Sequence, residues 1–252
     1  TSLTYFFLDI LIKKMNSDFK LANYLVYVLL ATVSDVMPLR KINKIIASNV
    51  IKNFKITDNS AINFIFSELD IKKKLTVDDL GYLIGPIINS GGRLGFPSYG
   101  TELLTSDNPK IIQKKTTELI KLNNKRKEIE KNILNEIDFK KIENENKGVI
   151  IYNNSSINEG LIGIIAARLK DYFNKPAIVL TRSNNFLKAS ARSTSAYNIA
   201  NLIKLLIDNK IIEKGGGHNM AAGFTIKKDN IELLDSFIQK DYSNKVPMKA
   251  IL

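Results

Sequence analysis

The stretch Gly215-Gly216-Gly217-His218-Asn219-Met220-Ala221-Ala222-Gly223-Phe224 decides how this chain is read. Three glycines run directly into the only histidine of 252 residues. Glycine adopts backbone conformations closed to other residues and lets a main chain approach a ligand closely. Successive N–H groups in a glycine-rich turn can form a concave nest for an anion, with the His218 imidazole at its lip. The same residues also describe a plain glycine-rich hairpin whose histidine faces solvent. In either case Ala221, Ala222 and Gly223 are small enough for the next strand to pack tightly.

Two further stretches favour the ligand-binding alternative. ASARS, Ala189 to Ser193, ends an expected strand over 186–193. Arg192 offers a planar fork of donors suited to phosphate or carboxylate. Ser190 and Ser193 flank it with hydroxyls, and Ala191 keeps the surface open. Taken alone, an arginine on such a strand is a solvated surface residue. IGPIINSGGRLGFPSYGTELLTSDN, Ile84 to Asn108, holds Asn89, the Gly91-Gly92 pair and Arg93. There a flexible backbone is expected to place a guanidinium on a loop beside a helix start. Phe96 and Tyr99 are candidates to stack a base, against the commoner alternative of local packing.

Working outward, the chain divides into three parts. Residues 1–107 alternate helical and short apolar segments, as in half of an α/β domain. Asp35 follows the apolar run Tyr24–Val33, so its carboxylate either caps the next helix or binds something. Ser106-Asp107-Asn108-Pro109 is a helix start, a polar cap followed by proline at the first position. From there to about Glu143 there is no glycine and no further proline. Ile112, Leu119, Leu122, Ile129, Ile133 and Ile137 form a narrow seam on an otherwise charged helix. About 35 residues at ~1.5 Å each span roughly 50 Å, which fits a helix connecting two domains or, alternatively, a coiled-coil partner. From Gly148 onward, strands (GVIIYN; Ala177 to Arg182; the ASARS strand; Gly223 to Lys227) alternate with helices (Gly160 to Phe173; near Asn198 to Asp208; near Asn230 to Gln239). That order predicts an α/β domain with a mainly parallel sheet.

Taken together and in this order, the motifs resemble the RecJ family of single-strand-specific 5′→3′ exonucleases, within the DHH phosphoesterase superfamily. GGGHNMAAG resembles the family's closing GGH-x-x-AAG motif. ASARS resembles its S-G-R-S, with Ala191 adding a methyl group where glycine is usual. GPIINSGGRL resembles G-P-x-x-N-A-x-G-R-L, and LLATVSDVMPL, Leu29 to Leu39, resembles G-T-x-A-D-x-x-P-L. The family's D-x-D and D-H-H metal motifs are not found ahead of the match, and the chain opens on Thr1. The resemblance therefore implies an internal fragment, inactive alone. Its expected parts are the C-terminal part of a DHH domain (1–107), the long connecting helix (108–146), a DHH-associated α/β domain (147–242) and the start of a further domain (243–252).

The resemblance also implies roles. Asp35 is a metal ligand of a dinuclear Mn²⁺ or Mg²⁺ site that activates water. Arg93, Ser190, Arg192, Gly216, Gly217 and His218 bind phosphate groups of single-stranded DNA near its 5′-phosphate end, and Asn89 supports the Arg93 loop or contacts the DNA backbone. A single-strand-binding protein or a helicase is the implied protein partner, and cytoplasmic DNA repair and recombination the implied setting. Two other classes share parts of the pattern. One is a DHH-type phosphodiesterase of nanoRNA or cyclic dinucleotides, which should lack the long helix and the GPIINSGGRL block. The other is a non-catalytic nucleic-acid binding module, which would not explain Ser34-Asp35 with Pro38.

Composition bounds these readings. A hydrophobic fraction of 44% supplies real cores. The absence of cysteine excludes disulfides and cysteine–zinc sites and fits a reducing compartment. The apolar runs Tyr5–Ile12 and Tyr24–Val33 fall short of the ~20 residues needed to span a bilayer. The net charge of +12 suits a polyanionic partner. That excess is spread along a Lys-, Ile- and Asn-rich chain with no polybasic tract, so it is weak support.

Overall fold

The computed structural model describes residues 1–246. The chain forms two compact units, divided between Arg126 and Lys127.

The first unit is helical. It comprises α1 (Ser2–Lys14), α2 (Leu25–Ser34), α3 (Lys41–Asn53), α4 (Ser60–Glu68), α5 (Gly85–Arg93), α6 (Ser98–Thr105) and the first part of α7 (Pro109–Glu136). The apolar run 24–33 is therefore a buried helix, and no strand occurs among the described residues of this unit. A short continuous apolar run cannot by itself separate a buried strand from a buried helix. Leu29 of α2 packs in one core with Ile62, Ile65, Leu80, Ile84, Leu103 and Leu119. Each such side chain contributes ~1.5–3 kcal/mol on leaving water.

A capping box opens the segment leading to α5. Thr76 Oγ1 accepts from the Asp79 N–H at 3.2 Å, and Asp79 accepts from the Thr76 N–H at 2.9 Å. Lys73 closes on the same carboxylate at 2.7 Å. The chain then runs through a π-helical turn, Asp79–Ile84, directly into α5. α7 begins as the sequence indicates, with Asn108 Oδ1 accepting from the Lys110 N–H at 3.0 Å. It ends at Glu136 rather than near Glu143, and α8 (Phe139–Asn144) follows. Asp138 explains the break: its side chain accepts from the Lys141 N–H at 2.9 Å and caps a new helix instead of continuing the old one.

The second unit carries β1 (Ile150–Asn153), α9 (Ile162–Phe173), β2 (Ala177–Ser183), β3 (Phe186–Arg192), α10 (Ile199–Asp208), β4 (Lys214–His218), β5 (Ala221–Ile226) and α11 (Ile231–Lys245). The strand order is β1-β2-β3-β5-β4. Only β1 and β2 run parallel, joined through α9; the other three pairings are antiparallel. The expectation of a mainly parallel sheet is thus corrected. Two-residue turns, Asn184-Asn185 and Asn219-Met220, connect β2 to β3 and β4 to β5, and such turns can only reverse a strand. Asn184 takes φ 52°, a left-handed conformation asparagine tolerates.

Helices cover both faces of this sheet. Leu202, Ile203 and Leu206 of α10 and Leu234 and Ile238 of α11 pack on Leu187, Ala189, Ala191, Ala222, Phe224 and Ile226. Ile165, Ala166 and Leu169 of α9 pack on Ala177 and Val179 on the other side. Gln239 of α11 acts as a substitute strand for the chain entering β1. It accepts from the Gly148 and Val149 N–H groups at 3.0 and 3.1 Å and donates to the Val149 carbonyl at 2.8 Å. Of the expected further segment 243–252, residues 243–245 complete α11 and 247–252 lie outside the described residues.

Candidate functional site

Successive strand side chains alternate between faces, and on β3 this divides the ASARS motif. Leu187, Ala189 and Ala191 enter the core; Lys188, Ser190 and Arg192 face α9. Register extends that face across the sheet. Arg192 pairs with Ala221, which pairs with His218. Ser190 pairs with Gly223, which pairs with Gly216. The structure therefore brings Ser190, Arg192, Gly216 and His218 together on one sheet face, two strands or roughly 10 Å across. Gly217 belongs to the opposite face, in register with the core residue Ala222.

Two expectations change here. The glycines form no nest: Gly215, Gly216 and Gly217 are extended residues of the edge strand β4. A nest needs a left-handed residue in the run, and the only positive-φ glycine among the described residues is Gly95. Packing accounts for these glycines instead. A Cβ on Gly215 would meet Phe224 Cβ at 2.8 Å and Ile203 Cγ2 at 3.0 Å, and one on Gly217 would overlap the Ala221 carbonyl and the Ala222 Cα. At Gly216 a Cβ would meet nothing within 4 Å, which leaves a bare, open floor. Second, Ala191 lies in the core and does not border the open face, so its methyl group points away from Ser190 and Arg192. Ser193 is buried as well, and its Oγ donates to the Tyr197 carbonyl at 2.6 Å.

Arg192 is half-buried. Its Nη1 donates to Ser190 Oγ at 3.2 Å and to the Ala191 carbonyl at 2.8 Å. Among the described residues no carboxylate pairs with it, and burial alone lowers its pKa. A guanidinium does not give up its proton in a protein, so this is a fixed positive charge without its counter-charge. Partly desolvated charges are costly unless paired. α9 reaches it through Gly163, where a Cβ would meet Arg192 Nη2 at 3.0 Å and Ser190 Oγ at 3.1 Å. Sequence reasoning missed Gly163; the available signal was a lone glycine inside a helical pattern. His218 is exposed, and its Nδ1 accepts from the Met220 N–H at 3.4 Å, which leaves Nε2–H as an outward donor. The hairpin tip is tied on both sides. Ser193 N–H donates to the Met220 carbonyl at 2.9 Å, and Ile199 N–H to the Asn219 carbonyl at 3.1 Å.

In the first unit, GPIINSGGR is helix α5 rather than a loop. Asn89 and Arg93 lie four residues apart on one helical face; Asn89 is exposed and Arg93 half-buried. The glycines again serve close packing. A Cβ on Gly85 would meet Ser34 Oγ at 2.8 Å, so the start of α5 lies against the end of α2. That contact brings the SDVMP and GPIIN stretches together. Asp35 sits at the C-terminal end of α2, exposed, and caps no following helix: α3 has Arg40 at its N-terminal boundary and no side-chain cap. The Val36 N–H donates to the Val33 carbonyl and the Met37 N–H to the Thr32 carbonyl, both at 3.0 Å. This is a Schellman closure with Val36 at φ 53° where glycine is usual. Phe96 and Tyr99 pack locally, rings 4.9 Å apart, with Lys115 Nζ 3.3 Å over the Tyr99 ring.

Residues 146–244 match the DHHA1 domain family. The chain is 30% identical over 217 residues to the single-stranded-DNA-specific exonuclease RecJ of Haemophilus influenzae, covering 81% of this chain and 37% of that protein. It is 32% identical over 225 residues to RecJ of Salmonella typhimurium, covering 84% and 38%. The fold matches a crystal structure of RecJ in complex with Mn²⁺ from Thermus thermophilus, with a TM-score of 0.81 at 19% identity over 93% of this chain and 34% of that one. The chain belongs to the RecJ-type DHH proteins.

It spans under two fifths of the length of these curated relatives. Within the RecJ-type chain, Ser190, Arg192, Gly216, Gly217 and His218 fall inside the DHHA1 match, and Asp35, Asn89 and Arg93 outside it. Among the described residues no three His, Cys, Asp or Glu side chains cluster in a way that would hold a metal ion. Asp35 is a free single donor, and the described residues do not complete a dinuclear site. No helix among them is long and apolar enough to cross a membrane.

Proposed function

We propose that the chain carries the 5′-end-binding part of a single-stranded-DNA-specific 5′→3′ exonuclease acting in cytoplasmic DNA repair and recombination. The observation that carries this reading is Arg192: a half-buried guanidinium with no carboxylate partner among the described residues, aligned across β5 with His218 above a glycine floor. That arrangement supplies a planar fork, an imidazole N–H and the Ser190 hydroxyl to one anion. A terminal phosphate, with more charge and more free oxygens than an internal one, satisfies it best. Fixing the terminal phosphate orders the strand and gives the enzyme its polarity. Residues 1–107 are proposed as the C-terminal part of the DHH domain, with Asn89 and Arg93 contacting the DNA. Asp35 is proposed as one donor to Mn²⁺ or Mg²⁺; because the described residues do not complete that site, the hydrolytic step is not assigned to them. A single-strand-binding protein or a helicase is the proposed protein partner.

Equilibrium binding of this chain to single-stranded oligonucleotides tests the reading. A 5′-phosphorylated strand should bind tighter than its 5′-hydroxyl and 3′-phosphorylated counterparts, and the preference should survive added salt better than the overall affinity, which dispersed lysines supply. Equal binding of all three would remove the 5′-end assignment. In protein carrying a complete catalytic centre, Asp35→Ala should lower turnover far more than DNA affinity; a variant that keeps its rate would remove Asp35 from the metal site.

A further inference from the structure

The open sheet face does not stop at Arg192 and His218. Two residues along the strands lies the small row Ser190, Gly223, Gly216; two further lies a row formed by Lys188, Thr225 and Lys214 in the same register. An open cleft of about 370 Å³ is lined by Ile162 of α9, Gly223, Lys188, Thr225 and Lys214. A second, of about 530 Å³, shares Lys188, Thr225 and Lys214 and continues to the exposed Phe186. Lys188 carries one partner, Glu159, at 2.7 Å between two exposed side chains. Among the described residues Lys214 has no acidic partner, although Glu213 stands beside it and pairs with Lys227 at 3.4 Å. The face thus reads as the Arg192 guanidinium and the His218 imidazole, then a row of small residues, then two lysines with a hydroxyl, then an aromatic ring.

We propose that Lys188, Thr225 and Lys214 form a second phosphate subsite, and that Phe186 stacks the base beyond it, so that this one sheet face holds a strand of several nucleotides. This rests on the 5′-end reading of Arg192 and His218. The Arg192 row and the lysine row are four residues apart along the strands, or roughly 14 Å at ~3.4 Å per residue. A nucleic-acid strand rises about 3.4 Å per stacked nucleotide and more when extended, so the rows are roughly two to four nucleotides apart. Gly223 and Gly216 between them let the strand lie close to β5 and β4 without a side chain in its way, while Ser190 of the same row faces α9. Phosphate held by lysines and bases held by aromatic stacking is the usual division of labour on a single-strand-binding surface. A cyclic dinucleotide or a nucleotide monomer would reach only one of the rows.

Oligonucleotide length separates this proposal from the reading beneath it. The probes are 5′-phosphorylated oligothymidylates of two and eight nucleotides, bound to the intact chain and followed by calorimetry and fluorescence anisotropy. Lys188→Gln with Lys214→Gln should leave the affinity for the dinucleotide unchanged and weaken the octanucleotide at least fivefold. The slope of log affinity against log salt for the octanucleotide should become shallower by about 0.7, the value for one phosphate neutralised. Phe186→Ala should weaken the octanucleotide alone. Lys204→Gln with Lys240→Gln, on α10 and α11 across the sheet, is the control for lost charge; it should leave the dinucleotide unchanged and weaken the octanucleotide far less than the Lys188 and Lys214 pair does. Arg192→Gln should weaken both. If the lysine pair leaves the octanucleotide unchanged, or weakens it no more than the control pair, the second subsite is wrong while the terminal site stands. If Arg192→Gln weakens neither probe, the terminal site falls, and the second subsite with it.

Discussion

In the first unit the candidate residues stand at the ends and on the faces of helices, and glycines let those helices close on one another; in the second they stand on one face of a sheet, and strand register aligns them. Gly85 at the start of α5 exists to admit Ser34. Gly217 exists to admit the returning strand β5, while Gly216, one residue earlier, faces open space. The contrast shows that a glycine-rich motif has no single physical meaning. In β4 one glycine is demanded by packing and its neighbour by the surface it leaves bare, and alternation along the strand decides which is which.

That distinction is the first thing to try to break. Gly217→Ala should cost about 3 kcal/mol, the upper range for overpacking, because its methyl group would meet backbone atoms that cannot yield. Thermal unfolding would show it. Gly216→Ala should stay within ~0.5 kcal/mol of the parent yet weaken binding of a 5′-phosphorylated oligonucleotide. If both substitutions destabilise equally, the alternation assigned to β4 is wrong.

The next effect belongs to the helical unit. Burial pushes the Asp79 carboxyl upward, but hydrogen bonds from Lys73 and Thr76 outweigh it and hold its pKa below the ordinary carboxylate value. A carboxylate depressed in the folded state contributes stability that is present above its unfolded pKa, near 4, and is lost as pH falls below that value. Asp79→Asn should cost about 1–2 kcal/mol at neutral pH through the lost capping box and flatten the acid limb of the first unit's stability profile. Denaturant titrations at pH 7 and pH 3 would check both.

The smallest effect has the opposite sign. Val36 holds a left-handed conformation that costs a β-branched residue ~1–2 kcal/mol. Val36→Gly should raise stability by about 1 kcal/mol while keeping Asp35 at the end of α2. A melting temperature that falls instead would mean the Schellman closure is not the contact that fixes this turn.

Much of this is legible in the sequence, for identifiable reasons. α9, α10 and α11 announce themselves through three- and four-residue apolar spacing, and Asn198 caps α10 by accepting from the Asn201 N–H at 3.2 Å. The three stretches around Asn89, Arg192 and His218 stand out by residue type alone, and those around Arg192 and His218 meet on one sheet face. What is lost depends on contacts between distant segments. Asn184-Asn185 does not stand out as a turn, so two antiparallel strands read as part of a parallel sheet. Gly85 and Gly91 read as flexibility, because nothing local reveals that Ser34 and Leu119 press against them. Ser193 reads as a surface hydroxyl, although its partner is the carbonyl of Tyr197. Gln239, which closes the edge of β1 from about 90 residues away, has no sequence signature at all.

Arg192 and His218, on different strands, are proposed to serve one terminal phosphate. A double-mutant cycle on the ratio of affinities for 5′-phosphorylated and 5′-hydroxyl single strands tests it most directly. Arg192→Lys keeps the charge and loses the fork; His218→Ala removes the outward donor. Each should reduce the ratio about tenfold, the ~1.4 kcal/mol that one charge-assisted hydrogen bond supplies. The double variant should fall well short of the product of the two, because both residues act on the same ligand. A ratio unchanged in both single variants, or effects that multiply in full, would contradict a shared phosphate site and leave the glycine-rich strand as a structural hairpin with a solvent-facing histidine.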